Sequence, residues 1–83
     1  MVGLCRLDKL SPGERAVVKK LYTRGSMRRR LLDIGLTEQT QLCCVGKSPL
    51  GDPRAFLIRG AVIALRGDDC REIEIEVCKN ENL

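Results

Sequence analysis

The chain has 83 residues, 43% of them hydrophobic, which suits one small domain over residues 1–83 with a single compact core. Lys and Arg number 15 against 11 Asp and Glu, a net charge of +4, and ten of the basic residues are Arg. Histidine and Trp are absent and Tyr22 and Phe56 are the only aromatics, so a Ser/His/Asp or Cys/His nucleophilic site and a His-containing zinc site are excluded, and no enzyme is expected.

Leu4, Leu7 and Leu10 stand three apart and predict a short turn or irregular stretch packed on the core. Ser11-Pro12-Gly13-Glu14 follows as a turn. Arg15 to Tyr22, with Val17-Val18 inside it, predicts a strand that Thr23-Arg24-Gly25 closes. Ser26 to Asp33 predicts a helix with Ser26 as N-cap. Met27, Leu31 and Ile34 form its buried stripe, and Gly35 takes the left-handed position after its end. Arg28, Arg29 and Arg30 step around that helix by about 100° each, so at least two of them reach solvent.

Beyond Thr40 the pattern turns to period two. Gln41–Lys47, Ala55–Arg59, Ala61–Arg66 and the alternation of Ile73, Ile75 and Val77 with Glu72, Glu74 and Glu76 predict four more strands. Gly67 to Cys70 predicts one helical turn between the last two. The class is mainly β, with about five short strands and one short helix after the first main strand, which fits a small closed or partly open barrel. Gly51 permits a positive φ and Pro53 stiffens the exit of the loop after Lys47, so Asp52 is presented from a defined turn.

Five cysteines, an odd number, follow an N-terminus without an apolar targeting segment, and predict free thiols in a reducing cytoplasm. Cys43 and Cys44 are neighbours on a strand and point to opposite faces, so they read as packed thiols rather than two ligands of one metal. Glu72, Glu74 and Glu76 read as a solvated outer face. No metal ligand is assigned.

Four segments in order carry a resemblance: Leu10-Ser11-Pro12-Gly13-Glu14-Arg15, Arg29-Arg30-Leu31-Leu32-Asp33-Ile34-Gly35-Leu36, Lys47-Ser48-Pro49-Leu50-Gly51-Asp52-Pro53 and Ile63-Ala64-Leu65-Arg66. Together they resemble the FeoA family of bacterial ferrous-iron uptake, over about residues 7 to 77. The resemblance implies an SH3-like barrel with a helix inserted between the first two main strands. It also implies an accessory role beside FeoB, a membrane ferrous-iron transporter with a cytoplasmic G-protein domain. Transition-metal binding, with Fe²⁺ as a transient ligand and no required cofactor, comes from the family alone, which shares its domain with iron-dependent repressors. One departure stands out. The family has Pro-Gly shortly after the Gly-Leu that ends the helix, whereas Glu38-Gln39 stand here.

The expected function is a non-enzymatic interaction module docking on the transporter's cytoplasmic face, without membrane insertion. Arg28, Arg29 and Arg30, with Gly51, Asp52 and Pro53, are the expected contact residues, because a planar guanidinium pairs carboxylates bidentately. Homo-oligomers through strand edges stay open. So do two other readings, a nucleic-acid-binding small barrel and a direct metal-sensing module. The missing aromatics and the acidic last strand count against nucleic acid.

Overall fold

The computed structural model describes residues 3–78. Six antiparallel strands form one sheet: β1 (Leu4–Arg6), β2 (Arg15–Leu21), β3 (Gln41–Lys47), β4 (Arg54–Ile58), β5 (Ala61–Leu65) and β6 (Ile73–Cys78). Their spatial order is β1-β6-β2-β3-β4-β5. Helix α1 (Gly25–Asp33) joins β2 to β3, and the single turn α2 (Gly67–Cys70) joins β5 to β6. This is the expected mainly-β, SH3-like arrangement with its inserted helix.

Alternation places the core. Ile73 and Ile75 of β6, Phe56 and Ile58 of β4, and Leu42 and Cys44 of β3 all point inward and are buried. On β2, Ala16 and Val18 are buried and so is Leu21, which has the wrong parity for a regular strand. A register shift between Val18 and Lys20 inserts the extra residue and restores Leu21 to the inner face. A second shift, between Cys44 and Gly46, leaves Val45 on the outside.

Two expectations change. Leu4 to Arg6 is a sixth strand laid against β6, with Leu4 exposed, while Leu7 and Leu10 of the following 3-10 turn are buried as the leucine spacing required. Three residues are too few to show a period, and the backbone ladder to β6 holds them. Ser26 does not cap α1. The helix opens one residue earlier at Gly25, whose φ of +64° turns the extended Arg24 into it, and among the described residues no side chain caps its first turn.

The far end of α1 behaves as its sequence requires. The Leu36 N–H bonds the Leu31 carbonyl at 2.9 Å and the Gly35 N–H bonds Leu32 at 3.0 Å, with Gly35 at φ +93°. Leu31 and Leu36 are both buried, and Met27 and Ile34 pack beside them. The Thr40 hydroxyl then donates to the Gly35 carbonyl at 3.1 Å and accepts the Thr37 N–H at 3.1 Å. Within that turn Gln39 sits at φ +73°, a region that favours glycine. Replacing Gln39 with Gly is expected to stabilise the domain by about 1 kcal/mol, read from urea unfolding midpoints.

Candidate functional site

Arg28, Arg29 and Arg30 are all exposed on α1, yet they do not share one surface. Arg28 turns back, its Nη1 donating to the Leu21 carbonyl at 3.2 Å. With Arg29, Gly25, Leu32 and Asp33 it lines a cleft of about 320 Å³. Arg30 points to the other side of the helix. There it lines a cleft of about 420 Å³ with Met27, Pro53, Ala64, Leu65, Arg66 and Asp69. The 100° step per residue accounts for the split.

The Gly51-Asp52-Pro53 loop is a closed unit. Gly51 takes φ +85°, as its position in the turn requires. Ser48 Oγ donates to the Asp52 carbonyl at 2.7 Å and accepts the Asp52 N–H at 3.0 Å. The Asp52 carboxylate accepts the Gly67 N–H at 2.7 Å, supplying the first turn of α2 with a partner from a distant loop. Of the six expected contact residues, Arg30 and Pro53 meet in a single cleft, Arg28 and Arg29 line another round the helix, Gly51 makes the turn and Asp52 is engaged within the chain. Asp52→Ala is expected to cost about 1 kcal/mol by loss of this cap, measured as a lower thermal midpoint.

Sequence reasoning missed Arg66, Met27 and Asp69 as cleft residues. Arg66 follows a strand as an ordinary end residue, and nothing local joins it to Arg30. A second basic cluster also escaped notice. Lys20, Arg24 and Arg28 line a cleft of about 390 Å³ with Leu21, Tyr22 and Thr23, and the Tyr22 ring lies 4.6 Å from the Arg6 guanidinium and 5.2 Å from the Lys20 ammonium. The acidic outer face of β6 is partly neutralised by its neighbours. Glu76 pairs with Lys19 at 3.2 Å, and Glu74 stands opposite both Arg6 and Lys20 in the ladder.

Among the described residues, no three or more Cys, Asp, Glu or His side chains converge as a metal donor set. All five cysteines are free thiols. Cys44 is buried and Cys43 half-buried on the opposite face, as strand alternation requires. Cys70 is wholly buried at the end of α2, and burial pushes its thiol up to about 12, which keeps it protonated near neutral pH. Burial also raises the Cys5 thiol, with Asp8 adding to it.

No helix among the described residues is long and apolar enough to cross a membrane. The FeoA domain family model matches residues 5–77. A Porphyromonas gingivalis Fe(2+) transport protein A/Fe(2+) transporter FeoB fusion protein is 33% identical over 72 residues, 87% of this chain and 8% of that protein. The chain therefore spans 8% of the length of the relative it matches. The solution structure of FeoA from Chlorobium tepidum superposes with a TM-score of 0.85 at 28% identity, covering 93% of this chain and 73% of that one. The zinc complex of Stenotrophomonas maltophilia FeoA, a prokaryotic SH3 domain protein, shares the fold at a TM-score of 0.70 and 24% identity, over 84% of this chain and 87% of that one. A match that runs from β1 to β6, on an SH3-like sheet with a helix inserted after its first long strand, places this chain in the FeoA domain family.

Proposed function

We propose that this chain is a non-enzymatic accessory module of ferrous-iron uptake that docks on the cytoplasmic side of a FeoB-type transporter. The observation that carries this reading is the Porphyromonas gingivalis relative, in which a segment 33% identical to this chain is joined to the transporter in one polypeptide. Fusion raises the effective concentration of one module beside the other, which benefits two parts that must touch. Fe²⁺ is the transporter's cargo in this reading.

The arginines of α1 and the Gly51-Asp52-Pro53 loop are the proposed contact residues. Arg30 suits the role best, since it shares its cleft with Arg66 and Pro53. A guanidinium there pairs a partner carboxylate bidentately, and apolar Met27 lines the same cleft. Arg28 and Arg29 extend the basic surface round the helix.

Charge reversal tests this. The double variant Arg28→Glu, Arg29→Glu and the single variant Arg30→Glu are each expected to weaken binding to the transporter in nanodiscs about tenfold or more. Circular dichroism should show each variant folded, because all three side chains are exposed. Unchanged affinity in both would remove α1 from the interface.

A further inference from the structure

Strand β5 forms one edge of the sheet, and among the described residues it pairs with β4 alone. Ile58 and Ala61 face each other across the two-residue turn Arg59-Gly60, both of which have positive φ. In such a hairpin Ala61, Ile63 and Leu65 exchange their N–H and C=O groups with β4, so Val62 and Ala64 direct theirs outward. Val62 is 64% exposed and Ala64 is exposed as well. Among the described residues, neither takes part in a backbone hydrogen bond beyond the strand ladder.

The strand itself carries none of the features that blunt an edge. Ala-Val-Ile-Ala-Leu contains no Pro and no charge, and its register with β4 runs without a bulge. The opposite edge, β1, has only three residues and ends on Arg6. On the outer face Val62 stands beside Leu57, 41% exposed, and Leu57 beside Cys43, so an apolar row runs out to the open edge. At its C-terminal end the edge borders the cleft that holds Arg30 and Arg66 against the single acid Asp69.

We propose that β5 takes up an extended segment of the partner as a seventh strand. The segment is apolar where it passes Val62 and Ala64 and acidic where it meets Arg30 and Arg66. Main-chain hydrogen bonds at an open edge supply affinity, and flanking side chains supply selection. A second copy of this chain fits less well. Two-fold antiparallel pairing about Ile63 sets Arg66 of each copy opposite Gly60 of the other, beside its Arg59, bringing like charges together at both ends of a short ladder. The inference rests on the docking reading above and says how the docking is made.

Residue-resolved amide exchange of the full chain, free and bound to the intact transporter in nanodiscs, tests it. The Val62 and Ala64 amides should exchange fast in the free chain and at least tenfold more slowly in the complex. Ala64→Pro removes one outward N–H and no β4 bond, so it should keep the fold and weaken binding at least tenfold. Val62→Glu, at an exposed position, should weaken binding too and serves if the proline variant fails to fold. Binding with protection on α1 but none at Val62 and Ala64, or undiminished binding by the folded edge variants, overturns the inference and leaves the docking reading standing. No binding by the wild-type chain overturns both. Protection of β5 that grows with chain concentration in the absence of transporter assigns the edge to a second copy, and also overturns it.

Discussion

Phe56→Ala is expected to cost about 3–5 kcal/mol, the largest loss of any single side chain here. Phe56 is the chain's one phenylalanine and is fully buried on β4, between Cys44 of β3 and Ile63 of β5 in the ladder. A domain of this size has a total stability of only about 4–12 kcal/mol, so the substitution removes a large share of it. The expected fall in thermal midpoint is tens of degrees, read by circular dichroism, since each kcal/mol is worth about 4–8 °C. Phe56→Leu keeps most of the apolar volume and should lose much less. A loss below about 1 kcal/mol for the alanine variant would contradict the packing described, because no core aromatic can be removed that cheaply.

Gly35→Ala comes second, at about 2–4 kcal/mol, from two separate costs. The residue sits at φ +93°, where a side chain costs roughly 1–2 kcal/mol. An added Cβ would also lie 2.5 Å from Cδ of Arg59 and 2.8 Å from its Nε. Arg59 must then move, giving up its hydrogen bonds to the Gly35 carbonyl at 2.8 Å and to Thr40 Oγ1 at 3.3 Å. Those bonds tie the β4–β5 hairpin tip to the end of α1. A double-mutant cycle separates the two costs. In an Arg59→Ala background, Gly35→Ala should cost only the backbone term, so the two losses should sum to more than the double variant shows. Strict additivity would mean that Arg59 does not lie over Gly35.

The contrast between the two ends of α1 shows what the sequence carries. The Gly35-Leu36 ending was legible because one residue type suits a left-handed position and one apolar residue closes the cap. The start was not, because Ser26 and Gly25 are both acceptable openings and only the path of Arg24 decides between them. Ile73 and Ile75 announced β6 through their alternation with glutamates. Val17-Val18 announced a strand but hid its phase, and the bulge at Lys19 that brings Leu21 inward follows from pairing with β6. Gln39, standing near where the family has glycine, took the positive φ that the tight turn demands.

The candidate site was legible in composition and not in arrangement. Helical geometry alone sets Arg28 and Arg30 on opposite sides of α1, but which of them faces the Pro53 loop, and that Arg29 falls on the Arg28 side, depends on where the fold places α1. The acceptor role of Asp52 toward Gly67 spans 15 residues and has no local signal. Arg66 joined the site for the same reason, through the course of β5 past the helix.

The central claim, that this domain docks on a ferrous-iron transporter, is tested most directly by titrating the isotope-labelled chain with the transporter's cytoplasmic G-protein domain and following its amide resonances. A DNA duplex serves as the parallel arm. Saturable shifts centred on Arg30, Arg66 and the Gly51-Asp52 loop, and extending round α1 to Arg28 and Arg29, are the predicted result. Silence with the G-protein domain, together with salt-sensitive shifts on DNA, would contradict it and identify a nucleic-acid-binding barrel instead.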